Sequence, residues 1–287
     1  MSNPTRSSGE LLVALAQIAT SPAQFTHNLA RHTDMVERAV AAHADLVVFP
    51  ELSLSGYLLA HGVAELSFRL DDERLAPLRE LSRRIAIVIG VPLREGAGGI
   101  SNAALLLEDG EVRGVHRKLY LPTYGMFDEG RYFVAGTSVR PVDSRLGRLG
   151  VLICEDCWHP STATLLARQG VDALVVMAGG PSELDLGDEP PAAGRWRWIV
   201  GATALTAVRP TLFVNRCGWE EGILFGGGSW AVDARGRDLA GPAPALEEAL
   251  LLAELDWQAA AHARTLTPIP EAERFELWRE LLDRDDA

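Results

Sequence analysis

Three polar residues each stand where an apolar, strand-like run of the chain ends. The runs are DLVVFP before Glu51, EVRGVHRK ending in Lys118, and GRLGVLIC ending in Cys154. Ligand sites in α/β sheets favour the carboxyl ends of strands, where side chains from neighbouring strands meet. We therefore predict that a carboxylate, an ammonium group and a thiol converge in one crevice.

These groups together suit acyl transfer at a carbon–nitrogen bond. A thiolate is the nucleophile, and a neighbouring base or cation raises its population near neutral pH. Glu51 would take the thiol proton and later hand it to the leaving amine. Lys118 would face the oxyanion of the tetrahedral intermediate, with the backbone N–H of Glu155 as a second donor. Taken alone, Glu51 also fits a solvated turn and Cys154 an inert core thiol.

Lys118 is the single lysine among 27 basic residues, and all the others are arginine. A coding bias that suppresses lysine would leave such a survivor anywhere on the surface. The chemical alternative is that the site needs a compact ammonium, because the planar arginine fork is too wide to fit beside a small reacting group.

The segments around these residues alternate between strand-like and helical patterns, and they indicate an α/β fold. Strands are predicted at 11–18, 45–50, 85–93, 101–108, 112–118, 147–154, 171–179 and 210–216, with a hairpin at 227–240. Helices are predicted at 25–44, 73–84, 160–170 and 195–208, and one exposed loop at 179–194. Strands buried on both faces and apolar helices predict four layers in the order helix, sheet, sheet, helix.

The composition excludes several classes of function. The net charge of −12 argues against a nucleic-acid surface, which needs clustered positive charge. No apolar run is long enough to span a membrane, and the polar start lacks the apolar core of a secretory signal. Three cysteines, an odd number, fit a reducing cytoplasm rather than a disulfide framework. The C-x-x-C formed by Cys154 and Cys157 has no second pair, so we expect no metal site and no cofactor.

Four ordered motifs make the chain similar to the nitrilase, or carbon–nitrogen hydrolase, superfamily. They are VVFPELSLSGY, HRKLYLPTYGMFDEGRYF, GVLICEDCWHP and VNRCGWEEGILFGGGSWAVDARG. The resemblance implies an α-β-β-α sandwich with a general base at Glu51, a lysine at Lys118 and a nucleophile at Cys154. It also implies that Glu129, in FDEG, assists this set, although a surface turn charge is the simpler interpretation.

Within the superfamily, the motifs most resemble the glutamine amidase domains of glutamine-dependent NAD synthetases. Those enzymes carry an ATP-binding SGGxDS loop that is absent from this sequence, so we expect a free-standing amidase. They also carry a serine in an SxSP stretch, where this chain has Gly180 before Pro181 and Ser182 could substitute. By position, the substrate-binding candidates are Tyr57, Tyr124, Glu155, Trp158 and Ser182. Core packing is the alternative for the three aromatic residues.

The resemblance also sets the expected organisation and reaction. We predict a flexible segment at 1–10, a carbon–nitrogen hydrolase domain at 11–265, and a C-terminal extension at 266–287 that packs on the domain or on a partner subunit. The expected substrates are a small amide and water, with release of ammonia through a thioester. A nitrilase, an N-carbamoyl amide hydrolase and a non-catalytic interaction protein remain as alternatives. Family members pair through helices near the active site, so a homodimer is expected.

Overall fold

A computed structural model describes residues 9–96, 99–182 and 192–285 of the chain. The segment 1–8, which makes up most of the predicted flexible N-terminus, lies outside the described residues. So does 183–191, which makes up most of the predicted loop at 179–194.

The strands form two six-stranded sheets and one short hairpin. In chain order they are β1 (Glu10–Gln17), β2 (Leu46–Val48), β3 (Ala86–Arg94), β4 (Ile100–Glu108), β5 (Glu111–Arg117), β6 (Val142–Ser144), β7 (Gly147–Ile153), β8 (Ala173–Ala178), β9 (Thr211–Asn215), β10 (Cys217–Glu220), β11 (Ile223–Gly226), β12 (Trp230–Val232), β13 (Asp238–Ala240) and β14 (Ala249–Asp256). The first sheet has the order β14-β1-β2-β3-β4-β5, and the second has β13-β12-β9-β8-β7-β6. Both are mixed, because β1–β3 and β7–β9 run parallel while the outer pairs are antiparallel.

Four of the helices, the first, third, fourth and fifth in chain order, cover the outer faces of the two sheets. The helices are α1 (Phe25–Ala41), α2 (Val63–Leu66), α3 (Ala76–Leu81), α4 (Pro160–Arg168), α5 (Ala192–Ala207), α6 (Trp257–Leu266) and α7 (Phe275–Asp285). The helix predicted at 73–84 is shorter in the structure, where a 3₁₀ turn at Glu73–Leu75 precedes α3. Pro77 lies in the first turn of α3, and proline fits only such a position because it lacks an N–H.

Alternation along the strands builds the four predicted layers. On β1, Leu12 and Ala14 pack with α1 residues such as Met35, whereas Val13 and Leu15 face the second sheet. Successive strand residues point to opposite faces, so a sheet that is apolar on both faces must be covered on both. The second sheet is covered on its other side by α4 and α5. The prediction of an α-β-β-α sandwich is confirmed.

Chain direction explains why the three polar residues meet. β2 and β5 run the same way in the first sheet, since two antiparallel steps separate β5 from β3. Their carboxyl ends therefore share one edge, from which Glu51 and Lys118 follow. β7 ends on the facing sheet and leads directly into Cys154.

The C-terminal segment lies against α4 at one point. Arg168 Nη1 donates to the Glu271 carbonyl at 2.9 Å, and its guanidinium lies 6.0 Å from the Phe275 ring. Further along α7, Trp278 and Leu282 are exposed. Among the residues described, none of the helices combines the length and apolar character that a bilayer crossing requires.

Candidate active site

Glu51 lies three residues beyond β2, and its carboxylate is almost completely enclosed. Oε1 accepts hydrogen bonds from Lys118 Nζ and Asn102 Nδ2, each at 2.7 Å, and Oε2 accepts from the Gly179 N–H at 2.8 Å. The turn that carries Glu51 lies directly on β3, because a Cβ at Gly90 would stand 2.4 Å from the backbone of this turn. Glu51 is therefore held in one orientation by donors from three separate elements.

Lys118 is fully buried and bridges two carboxylates. Its backbone N–H donates to the Asn102 carbonyl at 2.9 Å, which continues the β4–β5 ladder by one residue. Nζ lies 2.7 Å from Glu51 Oε1 and 2.6 Å from Glu129 Oε1. Burial alone lowers the pKa of Lys118, but the charges around it outweigh burial and raise that pKa above its ordinary value. The two carboxylates therefore favour the charged ammonium form of Lys118.

Glu129 begins a 3₁₀ turn at Glu129–Arg131 and completes this buried group. Its Oε1 also accepts a hydrogen bond from the Tyr57 hydroxyl. Burial raises the pKa of Glu129 to about 7, and the Lys118 and Tyr57 contacts oppose that rise. Among the residues that the structure describes, no atom hydrogen-bonds Glu129 Oε2.

Cys154 stands at the junction between β7 and a 3₁₀ turn at Cys154–Trp158. Its φ of +46° is unusual for a residue other than glycine and persists only where surrounding contacts hold it. Burial and the charge of Glu51 raise the pKa of the thiol well above its ordinary value, while Lys118 and a hydrogen bond from the Gly179 backbone oppose this. Burial and Glu51 thus favour the thiol over the thiolate, and a base that takes its proton would make the sulfur a better nucleophile.

Gly179 links the thiol to the carboxylate. Its N–H donates to Glu51 Oε2, and a Cβ there would lie 3.3 Å from that oxygen, while the same backbone lowers the pKa of the Cys154 thiol. Glu51, Lys118 and Cys154, which are far apart in the sequence, thus share one enclosed space with Glu129.

Asp156 ties the segment after Lys118 to the segment that carries Cys154. Oδ1 accepts from the N–H groups of Leu119 and Tyr120 at 2.9 and 3.1 Å. Oδ2 accepts from the Ile153 N–H at 3.0 Å and from His116 Nε2 at 2.8 Å. The sequence analysis missed Asp156, because three of its four donors are backbone N–H groups, which have no signature in the sequence.

A cavity of about 290 Å³ opens in front of Cys154. Its described lining residues are Tyr124, Phe127, Cys154, Glu155, Trp158, Gly180, Pro181, Arg195 and Trp196. Three of the substrate-binding candidates therefore line it, and Tyr124 Oη donates to Glu155 Oε2 at 2.7 Å. Aromatic surface lies at the mouth of the cavity, because Tyr124 is 59 % exposed and Trp158 is 37 % exposed.

The other two candidates lie elsewhere. Tyr57 is buried behind the cavity and contacts Glu129 rather than this space. Ser182 is not among the described lining residues, and its N–H donates to the Leu224 carbonyl at 2.7 Å. A side chain at position 180 has no room, because a Cβ there would lie 2.6 Å from Trp196 Nε1. Trp196 thus occupies the space that a serine at position 180 would need.

The clusters of acidic, histidine and cysteine side chains do not resemble a metal centre. Within 9–96, 99–182 and 192–285, no three such side chains are placed to hold an ion. Lys118 carries a positive charge between two carboxylates of the site.

Known proteins resemble this chain over most of its length. The profile of the family described as Carbon-nitrogen hydrolase matches residues 12–265. The glutamine-dependent NAD(+) synthetase of Thermotoga maritima is 30% identical over 249 residues, which cover 86% of this chain but only 42% of that protein. This chain thus spans less than half the length of that relative.

Two solved structures have the same fold along nearly their whole length. A carbon-nitrogen hydrolase from Helicobacter pylori G27 superposes with a TM-score of 0.86 at 24% identity, covering 95% of this chain and 98% of the other. A variant of the amidase from Nesterenkonia sp. AN1 superposes with a TM-score of 0.78 at 27% identity, covering 94% and 99%. In that variant, acrylamide has undergone Michael addition at the active site cysteine.

Proposed function

The chain belongs to the carbon–nitrogen hydrolase family, and from that premise we propose that it is an amidase that hydrolyses a small amide through a thioester on Cys154. The observation that carries this proposal is the enclosed group of Glu51, Lys118 and Glu129, together with a cysteine, Cys154, that lines a cavity. The resemblance to the nitrilase superfamily holds over most of the chain.

Acylation begins with proton transfer from the Cys154 thiol to Glu51. The sulfur attacks the carbonyl carbon of the amide, and the carbonyl oxygen becomes an oxyanion. Lys118 Nζ and the backbone N–H of Glu155 stabilise that charge. When the tetrahedral intermediate collapses, the carbon–nitrogen bond breaks and Glu51 returns its proton to the leaving nitrogen, which departs as ammonia.

Deacylation repeats these steps with water. Glu51 takes a proton from water, the hydroxide attacks the thioester carbon, and Lys118 again faces the oxyanion. The carbon–sulfur bond then breaks, Glu51 gives its proton to the sulfur of Cys154, and a carboxylic acid leaves. Glu129 keeps the Lys118 ammonium in place, because its Oε1 accepts from Nζ at 2.6 Å.

An amide is favoured as substrate by the Nesterenkonia neighbour, which is an amidase with an active site cysteine. The aromatic lining at Tyr124, Trp158 and Trp196 supports a small acyl group that packs between flat rings. Glutamine itself is less well supported, because Trp196 fills the place where glutamine amidase domains carry their serine.

The test is a panel of small amides, nitriles and N-carbamoyl compounds, with ammonia release as the measurement. Fastest turnover on amides supports the proposal, whereas turnover confined to nitriles or carbamoyl compounds favours those alternatives. A folded protein whose Cys154 reacts with no substrate and no thiol probe would favour a non-catalytic interaction protein.

We also propose the setting in which the enzyme works. The three cysteines are all free and buried, which supports a reducing cytoplasm. A homodimer is supported by apolar side chains on the outer face of α4 and α5, where Trp198 and Leu205 are exposed. The proposed reaction needs water and the amide but no cofactor.

A further inference from the structure

A buried ion pair stands behind the site, in the sequence motif that the reaction steps do not use. Arg216 and Glu220 are at most 1% exposed in their side chains, and Arg216 Nη1 donates to Glu220 Oε2. Arg216 Nη2 donates to the Thr20 carbonyl at 3.1 Å, and its guanidinium lies 4.0 Å from the Phe225 ring. Burying two charges costs several kcal/mol per ion, so such a pair is weak evidence for stability alone.

The second oxygen of Glu220 holds the backbone of another segment. Glu220 Oε1 accepts hydrogen bonds from the Tyr57 N–H at 2.8 Å and from the Leu58 N–H. These donors lie more than 160 positions earlier in the chain, in the irregular segment between β2 and α2. Glu220 therefore anchors the irregular segment around Tyr57 and Leu58 to the β10–β11 hairpin. This segment is not part of a β-sheet.

Tyr57, which Glu220 anchors, contacts Glu129 and through it Lys118. The Tyr57 ring packs against Phe225 with centroids 6.0 Å apart, and its hydroxyl donates to Glu129 Oε1, which in turn accepts from Lys118 Nζ. A shift of the Tyr57 backbone would move the hydroxyl away from that oxygen. A 1 Å misplacement far from the chemistry can cost about 100-fold in rate.

We propose that Glu220, held by Arg216, is a positioning residue that fixes Tyr57 and, through it, the Glu129 carboxylate. Glu220 is not among the described residues that line the substrate cavity, and its hydrogen bond to the Tyr57 N–H connects it to the hydroxyl that contacts Glu129. This role rests on the proposed function, because Glu129 matters only if Lys118 takes part in amide hydrolysis.

A pH profile reports this chain of contacts. The groups that face Glu129 are Lys118, Glu51, Tyr57 and Cys154. The hydrogen bond from Tyr57 lowers the pKa of Glu129, so losing it raises that pKa further. The acidic limb of kcat/KM should therefore move to higher pH when Tyr57 is displaced, as it should in Tyr57→Phe.

The experiment compares two paired substitutions that differ only at the acceptor. Arg216→Met with Glu220→Leu removes both charges and the acceptor, whereas Arg216→Met with Glu220→Gln keeps an oxygen for the Tyr57 and Leu58 N–H groups. We expect the Leu pair to lose about 10- to 100-fold in kcat/KM and the Gln pair to stay within about threefold of wild type. Adding Tyr57→Phe to the Leu pair should cost no more than about twofold, because residues that act as a unit are non-additive.

The positioning role is wrong if the Leu pair keeps wild-type kcat/KM. It is also wrong if adding Tyr57→Phe to the Leu pair lowers kcat/KM by the product of the two separate losses. If melting curves show that the Leu pair is unfolded, Glu220→Asp takes its place, because it retains the charge pair but shortens the reach to the Tyr57 N–H. Adding Tyr57→Phe to Glu220→Asp should then cost no more than about twofold in kcat/KM.

Absence of any amide turnover in the wild type refutes the proposed function instead. The positioning role is then read from the pH dependence of Cys154 alkylation by iodoacetamide, mapped by peptide mass. The Leu pair and Tyr57→Phe should shift that dependence together, and a shift in only one of them would overturn the role.

Discussion

Replacing Lys118 with arginine keeps the positive charge and changes only its shape. The ammonium nitrogen lies 2.7 Å from Glu51 Oε1 and 2.6 Å from Glu129 Oε1, inside a space that leaves the side chain 0% exposed. A guanidinium cannot occupy that space without moving a carboxylate, and overpacking a buried site costs about 1–3 kcal/mol.

The expected loss of rate is larger than the loss of stability. The displaced cation would no longer stand at the oxyanion, and removing one such donor typically costs about 3 kcal/mol of transition-state stabilisation, or 100-fold or more in kcat. We expect Lys118→Arg to lose at least about 100-fold in kcat/KM, with a change in unfolding free energy of only about 1–3 kcal/mol.

The assay is steady-state ammonia release on the best amide of the panel, together with urea unfolding. Arg209→Lys is the matched control, because Arg209 is also a buried cation whose hydrogen-bond and ion-pair partners, within the described part of the chain, are carbonyls and Glu271 rather than groups of the site. It should lose stability and keep its kcat. Turnover of Lys118→Arg within about tenfold of wild type would refute the need for a compact ammonium.

Three further predictions follow from the same contacts. Because burial raises the pKa of Glu129 to about 7 and its ionised form holds Lys118, kcat/KM should fall as pH drops through that value, and Glu129→Gln should remove this limb in the ammonia assay. Asp156→Asn should lower the unfolding free energy by roughly 3 kcal/mol in urea, because its NH₂ group replaces an oxygen that accepts two hydrogen bonds. Light scattering at micromolar concentration should give twice the chain mass of 31.0 kDa, and Trp198→Glu but not Trp219→Glu should give the monomer. A monomeric wild type would reject the dimer.

Glu51 and Cys154 could be predicted from the sequence because each follows an apolar run, and Lys118 because it is the single lysine and ends a strand-like segment. Glu51, Lys118 and Cys154 lie at strand ends, and parallel strands bring their carboxyl ends to one edge. The layered fold followed in the same way, since runs that are apolar at every position need cover on both faces.

The contacts that orient those residues could not be predicted. Asn102 donates to Glu51 from the middle of β4, and within the strand it resembles any other polar position. Asp156 and Glu220 act through backbone N–H groups that carry no sequence signature. The short distance between Gly180 and Trp196 could not be predicted either, because it depends on how α5 packs in the tertiary structure.

The most direct test of the proposed mechanism is the intact mass of the protein after rapid acid quenching during amide turnover. A thioester should add the acyl group of the substrate in place of one hydrogen, and peptide mapping should place that mass on Cys154. Cys157 is a buried thiol in the same 3₁₀ turn and serves as the control. Cys157→Ala should keep the adduct, whereas Cys154→Ala should lose it. Full turnover by Cys154→Ala, or an adduct on another residue, would contradict the proposed nucleophile.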